Sequence, residues 1–489
     1  MLKAGLRDSI IYGFASILSK GLAIFLLPIY TRVLAPSDFG AYDLLLTLAA
    51  LANLVVALEI SQGLARYWGD TDSWTEKRKL ASTTLWFTAL MYGVFLAIGL
   101  VWAVPLNQWI IGDERYLLAY RIAIVFIAIN GIYLLLLNQL RWELRSKTYA
   151  VASLSYALMT LVLSAILCLW MDMGLTGIIL SQAISALITS FFCWQLLKET
   201  LGFTFDYTKL RTMISFSAPL VPAGLAVFIS LYVNRYALLH FASLADIGIF
   251  SIGSRIAGIS MLFIGGIQMA LTPLIYQHYK QIETPIQIAR LFNWFLALAF
   301  MGCLFLSLFS KELLFLFTTS EYELSSTLII YLAPAFLLSQ MYIFAPGIAI
   351  RKKTNIQLYV MLLSAFVSIA ANWILVPIWG VLGAALATLI ASLIFFSVWV
   401  YVSQSLYKIP YHWKSILLAT CAFIICTALG VLLGAEKFSI VFTLVLKCAL
   451  IAILLFSIIS CALLPISDLI NLSKYLNKRF FGKMIDPKY

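Results

Sequence analysis

Charge is scarce in this sequence, and negative charge is scarcer. Only 11% of its 489 residues are Asp, Glu, Lys or Arg, and 21 acids face 33 Lys and Arg. Typical soluble domains carry about a quarter charged residues, so a water-facing globular fold is excluded. Histidine is nearly absent: His240, His278 and His412 are scattered near loops, with no metal or catalytic spacing. The seven Cys lie in or beside apolar stretches and read as small hydrophobes, without disulfide or zinc spacing. There is no P-loop, so ATP does not drive this chain directly. No nucleophile–base pair stands out, and the loops are too short to house a catalytic domain. An enzyme is not expected, nor is a cofactor or a metal.

What is abundant is apolar: 63% of residues are hydrophobic and the mean hydropathy is +0.99. Apolar runs recur from end to end, each long enough to cross about 30 Å of hydrocarbon. Backbone groups must be satisfied inside lipid, so these runs are expected to be helices. Fourteen are expected, with cores at 9–34, 41–66, 81–104, 118–140, 149–170, 175–198, 212–239, 246–276, 288–309, 324–350, 356–377, 380–403, 413–434 and 437–463. The first is too long for a signal peptide, carries Lys20 and lacks a small-residue cleavage site, so it is expected to stay as a span.

Loop charges set the orientation. With the N-terminus in the cytoplasm, 24 of the 33 Lys and Arg fall on the inner side. Only Arg115, Lys311 and Lys437 fall outside. Both termini are then cytoplasmic. The net charge of +12 reflects this bias and attraction to anionic lipid; no nucleic-acid partner is needed to explain it.

A weak internal repeat is present. Gly21-Leu22-Ala23-Ile24-Phe25 matches Gly224-Leu225-Ala226-Val227-Phe228, and Arg32 then falls on Arg235. Asp38-Phe39-Gly40-Ala41-Tyr42 matches Asp246-Ile247-Gly248-Ile249-Phe250 at a shift of 208. Arg145-Ser146-Lys147-Thr148 matches Arg351-Lys352-Lys353-Thr354 at 206, as Gly174 and Gly177 match Gly380 and Gly383. The shift spans six helices, an even number, so the copies run in parallel. The expected fold is an all-α integral membrane protein with two parallel six-helix lobes, 1–200 and 201–405. Two extra helices and a basic tail follow in 406–489. The repeated glycines permit either close helix contact or a hinge.

Six cations remain inside the spans: Lys20, Arg32, Arg121, Arg235, Arg255 and Lys447. A charge at bilayer depth costs between ~2.5 and ~17 kcal/mol, depending on the method. A chain keeps such residues where they face a wet interior and bind something, and nearly all of these are positive. Lys20 and Arg255 lie deep in their spans, as Lys447 does, and are expected to face a cavity; the alternative for Lys20 is a pair with Glu59. Arg32 and Arg235 either snorkel, pair with Asp43 and Asp246, or bind. Arg66 is an inner anchor or a ligand contact, and Arg121 an interface residue. Lys447 either faces a lipid-holding groove or is structural. Glu59, the one deep acid, is a charge partner or a carrier of a coupling proton.

Leu27-Pro28-Ile29-Tyr30-Thr31-Arg32-Val33-Leu34 followed by Asp38-Phe39-Gly40-Ala41-Tyr42 resembles the N-terminal signature of Wzx-type polysaccharide flippases. These belong to the multidrug/oligosaccharidyl-lipid/polysaccharide exporter superfamily. Ile247-Gly248-Ile249-Phe250-Ser251 with Arg255 resembles the second signature. The resemblance implies flipping of an undecaprenyl-diphosphate-linked oligosaccharide across the bacterial inner membrane by alternating access, for O-antigen, capsule or exopolysaccharide. It also implies a polysaccharide polymerase and a chain-length regulator as partners. Arg gives bidentate phosphate contacts, which suits a diphosphate. A peptidoglycan-precursor (lipid II) flippase stays open. A multidrug exporter of the same fold ranks lower, because its cavity needs acids. A membrane glycosyltransferase or polymerase ranks lower still, because it needs a catalytic acid or a large outer loop.

Overall fold

The computed structural model describes residues 25–261, 278–433 and 440–461, with only the backbone of Thr354 and Ile440. It also describes Gly13, Leu18, Ser19, Gly21, Leu22, Ile264, Gln268, Leu271, Ile275, Leu463 and Leu464. Among these residues all regular structure is helical. The first helices are α1 (Leu27–Val33), α2 (Pro36–Val55), α3 (Ile60–Trp68), α4 (Trp74–Val101), α5 (Ala103–Ile110), α6 (Leu117–Trp142), α7 (Ser146–Ala165) and α8 (Gly174–Leu196). There follow α9 (Tyr207–Ser217), α10 (Leu220–Phe241), α11 (Leu244–Ala257), α12 (Thr284–Leu308), α13 (Ser310–Phe317), α14 (Ser325–Gln340) and α15 (Gly347–Ile350). The last are α16 (Thr354–Leu406), α17 (Trp413–Leu433) and α18 (Ile440–Ser460).

Among the described residues, 12 helical runs are long and apolar enough to cross a membrane. They fall on the expected spans from the second onward. Asn355–Leu406 covers two of those spans in one run of 52 residues. It bends at Gly380, where φ is 54° and ψ is −128°, a region open essentially to glycine alone. The protein is an all-α integral membrane protein. Eleven residues of the first span, Lys20 among them, lie outside the described residues.

The second and seventh spans are each split into two helices. The second breaks between α2 and α3, where Leu58 and Glu59 both take left-handed φ values of 50° and 52°. Neither Gly nor Pro marks the place, and the left-handed state costs an L-residue about 1–2 kcal/mol. Tertiary contact holds the lower piece: a Cβ on Gly63 of α3 would lie 2.7 Å from the Met213 carbonyl oxygen of α9. The seventh span breaks at Ala218 and Pro219, between α9 and α10. Pro219 cannot donate into a helix that continues through it.

The repeat is written into the backbone. Leu144 and Lys352 have φ of 57° and 55°, each closing a helix end. Arg145 N–H donates to the Leu140 carbonyl at 3.0 Å, and Lys353 N–H to the Ile348 carbonyl at 3.1 Å. These pairs are 208 residues apart, so the backbone pairs Arg145 with Lys353. The sequence match of Arg145 to Arg351 was two residues off, because loop residues aligned by type while the turn fixes the register. Gly174 and Gly380 share φ values of 53° and 54°, with nothing within 4 Å of an added Cβ. Their role is conformational, at the tight turn before each helix. The close-contact reading fits the other two glycines. A Cβ on Gly177 would lie 2.9 Å from Met173 Cβ, and one on Gly383 2.1 Å from the Leu375 carbonyl oxygen.

The described residues fall into two compact units. One lies within Met1–Ile256, Leu314–Leu328 and Leu358–Phe395. The other lies within Ala257–Leu313, Ile329–Gln357 and Phe396–Tyr489. This is a different partition from the repeat halves.

Candidate functional site

The site is built in the first unit where the N-terminal ends of α2 and α11 cross. A Cβ on Gly40 would stand 1.9 Å from the Leu244 carbonyl oxygen, and one on Gly248 2.0 Å from the Pro36 carbonyl oxygen. Only glycine lets the two backbones approach this closely. The crossing brings the next helical turns together, and those turns carry the charges.

Asp43 of α2 is 6% exposed and lies among three donors. Arg235 Nε of α10 donates to its Oδ2 at 3.0 Å. Ser251 Oγ of α11 donates to its Oδ1 at 2.7 Å. Arg255 Nη2, one helical turn beyond Ser251, stands 3.9 Å from the same Oδ1. One carboxylate thus faces two guanidiniums, and the cluster keeps one excess positive charge.

The two arginines are held differently. Arg235 also donates to Asn234 Oδ1 at 2.8 Å and to the Leu231 carbonyl at 3.1 Å. Its guanidinium lies 5.2 Å from the ring centres of both Tyr232 and Phe250, and its side chain is 10% exposed. It is locked. The Arg255 side chain is 31% exposed. Its guanidinium lies over the rings of Phe39 and Tyr42, at 5.2 and 5.5 Å. Its buried Nε has no hydrogen-bond partner. Arg255 is thus the more accessible of the two guanidiniums and has fewer hydrogen-bond partners than Arg235.

The aromatic floor is itself fixed. Gln182 Nε2 of α8 donates to Tyr42 Oη at 2.5 Å. Tyr30 Oη of α1 lies 3.2 Å from Ser164 Oγ, which lies 2.6 Å from Ser181 Oγ. Tyr30 and Tyr42 pack edge to face at 5.7 Å. These neutral hydroxyls and amide satisfy one another and leave the charge to the arginines.

The structure brings Arg235 and Arg255 together through Asp43. Arg32 is exposed at the end of α1, while its repeat partner Arg235 is buried. Arg66 is paired on the surface with Asp70, at 2.8 and 2.9 Å to the two carboxylate oxygens. Lys447, in the second unit, is 8% exposed and paired with Glu312, 5.0 Å above the Phe309 ring. Glu59 sits in the strained break of the second span. Lys20 lies outside the described residues. Among the described residues, no three His, Cys, Asp or Glu side chains are grouped as a metal site would require.

Sequence reasoning named Asp43 only as a partner for Arg32 or Arg235, and Phe39, Tyr42 and Ser251 only within the two signatures, without their contacts to Asp43 and Arg255. The signal was available. At the shift of 208, Asp43 falls on Ser251 and Thr47 falls on Arg255. The two copies are alike in backbone and opposite in charge at these turns.

The family described as polysaccharide biosynthesis protein matches residues 6–278, more than half of the chain. The chain belongs to this family. The resemblance in its two signatures holds. Lsg locus putative protein 1 of Haemophilus influenzae is 23% identical over 301 residues, covering 59% of this chain and 69% of that protein. Succinoglycan biosynthesis transport protein ExoT of Rhizobium meliloti is 25% identical over 258 residues, covering 50% of this chain and 49% of ExoT. This chain therefore spans about half of ExoT's length.

Solved structures share the fold. The lipid II flippase MurJ, in an inward closed conformation, superposes with a TM-score of 0.73 at 14% identity, over 91% of this chain and 98% of MurJ. An inward-facing multidrug resistance MATE family transporter of the MOP superfamily gives 0.64 at 17% identity, over 81% and 96%. At these identities the likeness speaks for the fold alone.

Proposed function

We propose that this chain is a flippase for undecaprenyl-diphosphate-linked oligosaccharide repeat units in the bacterial inner membrane, serving surface polysaccharide synthesis. Both termini are placed in the cytoplasm, and a polymerase and a chain-length regulator act downstream. The observation that carries the reading is Arg255. It is a guanidinium within a candidate membrane span, partly exposed, sharing one carboxylate with a second arginine. Such a group suits a phosphate oxygen, because charge-assisted bonds to phosphate are about twice as strong as neutral ones.

In this reading the diphosphate enters between the repeat halves 1–200 and 201–405 and contacts Arg255, with Lys20 as a second cation. The polyprenyl tail stays in lipid. Rocking of the halves exposes the site to each side in turn. Glu59 is the candidate for coupling to an ion gradient. The excess of positive charge in the Asp43 cluster argues against a multidrug exporter handling cations. It fits lipid II as well as a polysaccharide precursor; the family description and the name of ExoT favour the latter.

The test is in cells. Arg255→Ala should abolish surface polysaccharide at unchanged protein level, and Arg255→Lys should restore part of it. Full polysaccharide in Arg255→Ala would remove the basis of the proposal.

A further inference from the structure

Between Leu324 and Ala435 the sequence contains no Asp or Glu. All the Lys and Arg of that stretch fall at two turns of the second unit. One turn holds Arg351, Lys352 and Lys353, and the other holds Lys408 and Lys414. The turns touch: Arg351 Nε donates to the Leu406 carbonyl at 3.2 Å. The second turn is preset by Gln404, whose amide donates to the Ile409 carbonyl at 3.1 Å and accepts from Ile409 N–H at 2.9 Å. Tyr407 Oη ties it to the Tyr279 carbonyl at 3.0 Å.

Beside this turn, between the end of α16 and the start of α17, lies an open groove of about 930 Å³. One wall is apolar, made by Phe396, Val400, Tyr401 and Trp413; Ser397, Gln404, Ser405 and Lys408 provide its polar lining. Tyr401 and Trp413 are 80% and 55% exposed, the placement expected of aromatic residues at a membrane interface. The groove is thus amphiphilic. Among the described residues, its charged residue is a cation, and no carboxylate lines it.

We propose that this groove binds an anionic glycerophospholipid, with an acyl chain along Phe396 and Val400 and the headgroup phosphate at Lys408. The positive-inside orientation makes it a lipid of the cytoplasmic leaflet. The chemistry follows from charge complementarity, since basic pockets at the cytoplasmic side of membrane helices collect anionic headgroups. The site is separate from the Asp43 cluster and does not depend on what the protein transports.

Lipid retention on the purified full-length chain tests it, read by native mass spectrometry with phosphatidylglycerol and phosphatidylcholine of identical chains. Phosphatidylglycerol should be retained preferentially. Lys408→Gln should weaken its retention about fivefold, the worth of one cation near the surface. Lys408→Arg should preserve it, and Ser397→Trp should block the groove to both lipids. Lys147→Gln, an exposed cytoplasmic cation elsewhere, should leave retention unchanged. Equal retention of the two lipids, equal loss from Lys408→Gln and Lys147→Gln, or undiminished binding in Ser397→Trp would each overturn the assignment. So would preference for a prenyl diphosphate over phosphatidylglycerol, which would make the groove a substrate port.

Discussion

Gly40 and Gly248 occupy reciprocal positions at one crossing point, each facing the backbone of the other's helix four residues before the other glycine. An added Cβ would lie 1.9 Å from a carbonyl oxygen in one case and 2.0 Å in the other. Backbone cannot yield as a flexible side chain can. Gly40→Ala and Gly248→Ala should each destabilise the protein by about 1–3 kcal/mol, the usual range for overpacking. Because the pair forms one contact, the double variant should cost less than the sum. Thermal unfolding in detergent reads this directly; additive or negligible losses would show that the crossing is not maintained in solution.

Asp43 is the hub beneath that crossing. Removing one partner of a buried ion pair leaves an uncompensated charge and costs about 3–5 kcal/mol. Asp43→Ala should therefore lower stability far more than Arg66→Ala, whose pair with Asp70 is on the surface and contributes about 0–1 kcal/mol. Arg235→Met combined with Asp43→Leu should recover part of the loss, since the Arg235 charge leaves with the carboxylate while Arg255, 31% exposed, keeps its charge. A double variant no more stable than Asp43→Ala would mean that Asp43 holds the fold by another route.

The break at Leu58 and Glu59 gives an inverted helix-propensity test. In an ordinary helix interior, Ala is better than Gly by about 1 kcal/mol. At a left-handed position the order reverses, because Gly escapes the 1–2 kcal/mol penalty. Leu58→Gly should thus be more stable than Leu58→Ala, with the lost side chain common to both. If Ala proves the more stable, the second span is continuous in solution.

The architecture was legible in the sequence because membrane helices are written in composition. Apolar length, the inward Lys and Arg bias and the repeat each depend on many residues, so errors average out. Register at single turns does not average. Arg145 was aligned with Arg351 by residue type, while the left-handed Leu144 and Lys352 pair it with Lys353. The break at Leu58 and Glu59 left no local mark, because neither residue prefers that backbone; packing of α3 on α9 imposes it. Arg235 and Arg255 were visible as expensive charges, but their difference in freedom was not. That difference depends on Asp43, Asn234 and Ser251 converging from three helices. The pairing of Lys447 with Glu312 was likewise hidden, because Glu312 lies on the short helix α13, expected to be a loop.

The central claim is that Arg255, the more exposed of the two arginines that share Asp43, receives the substrate's diphosphate. The direct measurement is translocation of undecaprenyl-diphosphate-linked oligosaccharide in proteoliposomes holding equal amounts of folded wild type, Arg255→Lys and Arg255→Ala. A charge-assisted hydrogen bond is worth about 1.5–3 kcal/mol, so Arg255→Ala should slow translocation at least about tenfold. Arg255→Lys, which keeps the charge and loses the bidentate geometry, should fall between. Wild-type rates in Arg255→Ala would contradict the account.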